Sequence, residues 1–275
     1  MITLNGHIYK LCLIDTNVVS EMMKRPDPVM RHFFERMPLS EYIPCFSLFT
    51  ILELREREDV YQRFLEMFSK FPCCILKNLD LLFKDELTAY PDPSKVSPIL
   101  VASSGGLAPK NHKLADILNL AFSMPEIKAN ANKWNSGKGD VLEGILSLVK
   151  NYPPKGKKYT AKEIREFIEA AGFQQIAIRA LDFAQKIVQQ GESVMVDSFP
   201  SIKMTGFVVF YKFYSDQRRP IESDTFDIII ASVLPYVDTV ITEKHQADIF
   251  KKILQQDKFL ENVEVFRLKD LEGIA

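Results

Sequence analysis

The 275-residue sequence has four cysteines, four histidines and a single tryptophan, and each scarcity removes a class of chemistry. Cys12, Cys45, Cys73 and Cys74 lie in apolar, strand-like contexts and not at paired zinc-ligand spacings, so they are expected to be reduced core residues. Thiolates are disfavoured in such surroundings, and no Ser/His/Asp ordering stands out, so covalent nucleophilic catalysis is not expected. His7, His32, His112 and His245 form no HxH or HxxxH pair, which speaks against a histidine metal site. Long hydrophobic runs are also missing. The stretch Ile228 to Val237 is interrupted by Ser232 and Pro235 and falls short of the ~20 residues a membrane helix needs. The opening MITLNGHIYK lacks a basic leader and an unbroken apolar stretch, so the expectation is a soluble, cytoplasmic protein with no secretory signal. Charge is balanced, with 35 Lys and Arg against 36 Asp and Glu. A polyanion partner would therefore have to be held by a local basic patch or by bound cations.

Apolar residues make up 47% of the chain, enough for a substantial core in one large domain or two modest ones. Leu11 to Ile14 runs straight into Asp15, Thr16 and Asn17, the pattern of a central parallel strand turning into a helix. VVSEMMKR and PVMRHFFERM read as two helices punctuated by Pro26 and Pro28. Tyr42 to Phe46 is a short strand, SLFTILELREREDVYQRFLEMF is helical with Ser47 as its cap, and CCILK at 73 to 77 is a further buried strand. From residue 78 to 205 the pattern turns helical, at LDLLFKDEL, KLADILNLAF, DVLEGILSLVK, AKEIREFIEAAG and IAIRALDFAQKIV, with SSGG at 103 to 106 as a linker. GFVVFYKFY then reads as a core helix or strand, and the remainder as helix, strand, helix, strand.

Four carboxylates carry the functional question. Ligands of parallel sheets bind beyond the carboxyl ends of the strands, where Asp15 is expected, although a single Asp there also suits a helix N-cap. Glu53, in the apolar helix segment FTILEL, either reaches that sheet end or faces solvent. Asp224 and Asp227 lie at the start of DTFDIIIASVL, where the helix dipole favours anions and where capping is the plain alternative. Glu243 follows the strand-like DTVIT as Asp15 follows its own, while Asp238 begins that strand.

In their order these segments resemble the motifs of the PIN-domain nucleases, many of which are ribonuclease toxins of toxin-antitoxin pairs. LIDTN at 13 to 17 resembles the first motif and SLFTILEL at 47 to 54 the second, with Glu53 as its acid. DIIIAS at 227 to 232 is similar to the third, which selects Asp227 over Asp224, and VITEK at 240 to 244 is similar to the fourth, with Glu243 where Asp is usual. The resemblance covers residues 9 to 77 and about 206 to 270. It implies an α/β fold with a doubly wound, mainly parallel sheet flanked by helices. It also implies a nuclease domain of residues 1 to 77 and 206 to 275, with 78 to 205 as a helical insertion.

The activity implied is hydrolysis of RNA with Mg²⁺ or Mn²⁺ held by Asp15, Glu53, Asp227 and Glu243, supported by Asn17, Thr50, Asp224 and Thr242. Such chemistry needs hard cations, because the transition state adds negative charge to a phosphodiester that already repels its nucleophile. An antitoxin protein and a homodimer are the further partners the resemblance suggests. A catalytically silent RNA-binding or protein-interaction domain is the alternative. Within the insertion, residues 128 to 158 carry seven lysines against Asp140 and Glu143, a local charge of +5. Lys155, Lys157, Lys158 and Trp134 are its candidate RNA contacts, through phosphates and base stacking, with a Trp134 turned into the core as the other reading.

Overall fold

The computed structural model describes residues 1–4, 6–105, 113–156 and 158–271. Strands β1 (Ile2–Leu4) and β2 (His7–Ile14) pair antiparallel, and α1 (Thr16–Lys24) and α2 (Pro26–Arg36) follow. Next come β3 (Tyr42–Ser47), α3 (Leu48–Arg55), α4 (Glu58–Phe68), β4 (Cys73–Leu76), α5 (Leu79–Ala89) and β5 (Ile99–Ser103). Helices α6 (Leu114–Ser123), α7 (Pro125–Asn151), α8 (Ala161–Arg179), α9 (Leu181–Gln189) and α10 (Pro200–Val209) lead into a π-helical turn at Phe210–Ser215. The chain closes through α11 (Ser223–Ala231), β6 (Thr239–Thr242), α12 (Lys244–Gln256) and β7 (Glu264–Arg267).

The result is an α/β fold around a mixed, mostly parallel seven-stranded sheet of order β5-β4-β3-β2-β6-β7, with β1 on β2. Strands β4, β3, β2, β6 and β7 are mutually parallel, while β5 and β1 are antiparallel additions. From β2 the chain proceeds outward through β3 to β4, and from β6 outward the other way to β7. That reversal is compatible with a doubly wound sheet and opens a crevice above the carboxyl ends of β2 and β6.

Alternating side chains explain the two cores. Leu11 and Leu13 point into one with α5, α8, α10 and α12, whereas Cys12 and Ile14 point into the other with α1, α2, α4 and α6. A strand covered on both faces has no polar side, so β2 ends in a continuous apolar run. All four cysteines are free and buried there, and burial pushes the Cys12, Cys45 and Cys73 thiols well up.

The middle of the chain differs from the expected pattern of short helices separated by breaks. Ile99–Ser103 forms β5, an edge strand whose backbone partners are supplied by β4, residues its own sequence does not contain. Helix α7 continues through ANANKWNSGKG, because Ile127, Ala131, Trp134 and Ile145 recur at helical spacing and are buried, which outweighs the weak propensities of Asn, Ser and Gly. Helix α8 likewise runs through Gly172, where an added Cβ would lie 2.6 Å from Val196 Cγ1, so the glycine permits close approach and does not end the helix. The expected boundary between 205 and 206 falls inside α10, and residues of the insertion share one core with β2 and β3. Glu86 of α5 strengthens that union, accepting from Ser201 N and Oγ (2.7 Å each) and from the Tyr236 hydroxyl. Burial, opposed by these bonds, pushes its carboxyl up to about 7.

Candidate functional site

Asp15 stands at the end of β2, where the strand turns into α1, and it caps that helix. As N-cap of α1 its Oδ1 accepts from Thr16 N (2.8 Å), and its Oδ2 accepts from Thr242 Oγ1 at the end of β6 (2.6 Å). The parallel register pairs Ile14 with Ile241, so the two strand ends are adjacent and these residues meet across the crevice.

Ser47 caps α3, its Oγ accepting from Thr50 N (3.0 Å), and α3 then carries Glu53 toward α1. Thr16 Oγ1 donates to Glu53 Oε2 (2.5 Å) and lies 3.3 Å from Thr50 Oγ1, which is fully buried. Glu243 is exposed at the N-cap of α12 and accepts from Asn17 Nδ2 (3.2 Å). Asp15, Glu53 and Glu243 are thus each oriented by a neutral side chain from a neighbouring element.

The electrostatics show how closely the acids approach. Burial pushes the Asp15 carboxyl up to about 6; the Thr242 hydroxyl and Thr16 N–H oppose that, while Asp227 and Glu243 add repulsion. Burial likewise pushes Glu53 up to about 7, with the Thr16 hydroxyl opposing and Asp15, Asp227 and Glu56 adding repulsion. Neither carboxylate has a cationic side chain bonded to it among the described residues.

Asp227 is different. Its Oδ2 lies 2.5 Å from Lys212 Nζ, and the same ammonium lies 3.0 Å from Asp224 Oδ1. Lys212 and Asp224 are fully buried, and Asp224 also pairs with Arg218 (3.0 Å) and accepts from Ile221 N (2.9 Å). Asp224 thus supports a cation cluster behind Asp227. Asp238 stands at the opposite, amino end of β6, bonded to Leu11 N and to the terminal ammonium, away from the acids.

Asp15 and Glu53 are desolvated oxygen donors with no cationic side chain bonded to them among the described residues, the donor chemistry that a hard divalent cation would require. The four-acid metal set does not assemble. Among the described residues no group of three or more His, Cys, Asp or Glu side chains could hold a metal ion. The physical reason is visible at Asp227, whose charge is already met by Lys212.

Sequence reasoning missed Thr16, Lys212 and Gln246. Gln246, on the first turn of α12, is buried with neither amide atom partnered among the described residues, and it lines a small cavity with Asp15, Asp227 and Thr242. No sequence signal marks it. Lys212 does carry one, as the lone charge inside GFVVFYKFY. Larger cavities, of about 810, 610 and 590 Å³, are lined by none of the four acids.

The expected RNA contacts divide. Trp134 is 5% exposed, its ring edge-on to Phe49 and its Nε1 donating to Asp80 (3.0 Å). The core reading of Trp134 is therefore the one the fold adopts, and its ring is not presented for base stacking. Lys155 and Lys158 are exposed between α7 and α8, Lys155 pairing with Glu163 (2.7 Å); Lys157 lies outside the described residues. No described helix is long and apolar enough to cross a membrane. Comparisons with protein-family models, with curated proteins and with solved structures found no match to this chain.

Proposed function

We propose that the protein is a PIN-like, metal-dependent ribonuclease that uses Mg²⁺ or Mn²⁺ to hydrolyse phosphodiester bonds of RNA. The observation that carries this reading is that Asp15 and Glu53, two desolvated carboxylates joined through Thr16 and with no cationic side chain bonded to them among the described residues, stand at the reversal point of a mainly parallel sheet. Asp15 and Glu53 would hold the cation, which when bound supplies positive charge against the phosphate and an acidified water. The Thr242 hydroxyl fixes Asp15, the Thr16 hydroxyl fixes Glu53, and Asn17 holds exposed Glu243. Exposed Lys155 and Lys158 offer phosphate contacts outside the acids. A cytoplasmic setting, an antitoxin partner and a homodimer belong to the same proposal.

One observation favours the second reading, a catalytically silent RNA-binding or protein-interaction domain: Lys212 holds Asp227 away from a shared metal set. A fluorescent single-stranded RNA incubated with the purified protein separates the two. The nuclease reading expects cleavage with Mg²⁺ or Mn²⁺, none in EDTA, and background rates for Asp15→Asn and Glu53→Gln. Intact RNA under every metal condition refutes it, as does cleavage by Asp15→Asn at the wild-type rate.

A further inference from the structure

The acids divide into two groups by how their charge is met. Asp224 and Asp227 face two cations, Lys212 and Arg218, so that the cluster is neutral as it stands. Among the described residues Asp15 and Glu53 have no cationic side chain bonded to them, and when ionised the pair carries the charge that one divalent ion cancels. A second divalent ion on Asp227 would have to displace an ammonium that is fully buried, and a displaced buried ammonium keeps its desolvation cost without a partner.

We infer that Lys212 is the resident cation of the acidic site, a positioning residue that holds Asp227 so that the site takes one divalent ion, at Asp15 and Glu53, and not two. This rests on the reading of Asp15 and Glu53 as cation ligands. Three local features are built around Lys212 beyond the ion pairs themselves. It lies in the π-helical turn at Phe210–Ser215, an irregularity that re-aims side chains and is frequent at functional sites. Immediately after it Gln217 takes a left-handed conformation (φ +50°), a costly geometry for a residue with a side chain. That turn brings Arg218 back, its N–H donating to Lys212 O (3.1 Å) while its guanidinium joins Asp224. The chain thus bends twice within a few residues to set two cations on one pair of acids.

Gln246 supplies the independent sign that something is received beside them. Its carboxamide, 4% exposed and with neither polar atom partnered among the described residues, lines a small cavity with Asp15, Asp227 and Thr242. A buried amide in that state is expected to meet a water or a ligand. Were an ion held at Asp15, the Gln246 amide on the same cavity would be available to its hydration shell where a third carboxylate is not.

The measurement is a Mn²⁺ titration followed by electron paramagnetic resonance of free Mn²⁺, which counts bound ions without requiring activity. The wild type should bind one Mn²⁺ per chain, and Lys212→Met, its fold checked by circular dichroism, should bind two. Lys212→Arg should bind one. Should Lys212→Met not fold, Lys212→Met with Asp224→Asn removes one charge of each sign and should bind two. Two ions in the wild type, or one in the folded Lys212→Met protein, overturns the assignment of Lys212 while leaving the metal reading of Asp15 and Glu53 in place. No bound Mn²⁺ in any variant overturns both. One bound ion with intact RNA removes the nuclease reading and supports the role of Lys212.

Discussion

Replacing Asp15 with Asn should stabilise the protein when divalent ions are absent, although Asp15 caps a helix. Asn is isosteric and keeps the cap by accepting from Thr16 N, and the Thr242 hydroxyl, now donating to Asp15, can accept from the new amide. What disappears is a carboxylate whose charged form the fold disfavours. Holding a carboxyl at about 6 when its ordinary value is 3.8 costs the ionised state about 3 kcal/mol. Folded Asp15 keeps its proton up to about pH 6, whereas the unfolded chain releases it near pH 4, so stability from this group is present below pH 4 and is lost as pH rises through 6. Glu53, pushed up to about 7, and Glu86, also about 7, slope the same way, so the wild type alone cannot isolate Asp15. The difference between variant and wild type can. Urea denaturation in EDTA at pH 4 to 8 should give a difference near zero at pH 4 that grows to about 3 kcal/mol at pH 8, roughly 5–10 °C in melting temperature for a chain of this size. Adding Mn²⁺ should reverse the ranking, since an ion at 100 times its Kd stabilises the wild type by about 2.7 kcal/mol and the variant by much less. A variant less stable than wild type at pH 8 in EDTA, or a difference independent of pH, would refute the account of an uncompensated buried carboxylate.

Gly172→Ala should cost about 1–3 kcal/mol despite the better helix propensity of Ala, because its Cβ would approach Val196 Cγ1 to 2.6 Å. Thermal melts of Gly172→Ala alone and with Val196→Ala check this; the double variant should recover part of the loss, and strict additivity would count against the clash. Lys155→Ala and Lys158→Ala should each flatten the salt dependence of single-stranded RNA binding by roughly 0.7 in logarithmic slope if their ammonium groups contact phosphate. Filter binding across salt concentrations measures it, and an unchanged slope for the pair removes the loop between α7 and α8 from the RNA surface.

Short-range patterns carried much of the fold. The run Leu11 to Ile14 before Asp15, the Ser47 cap before α3 and VIT before Glu243 are local signals, because strand burial and helix capping are decided by neighbours within a few residues. The acids could therefore be assigned to strand and helix ends without coordinates. Partners distant in sequence could not. β5 is a strand because β4 completes its hydrogen bonds, and α7 persists through Asn, Ser and Gly because the core receives Ile127, Trp134 and Ile145. The same burial withdrew Trp134 from the surface that its lysine-rich neighbourhood suggested. At the site, sequence supplied the acids, whereas tertiary structure decided which of them keep uncompensated charge. Lys212 meets Asp224 and Asp227 from a π-helical turn and Arg218 returns to Asp224 past a left-handed Gln217, geometries with no residue pattern of their own, and electrostatic energy depends on those final distances.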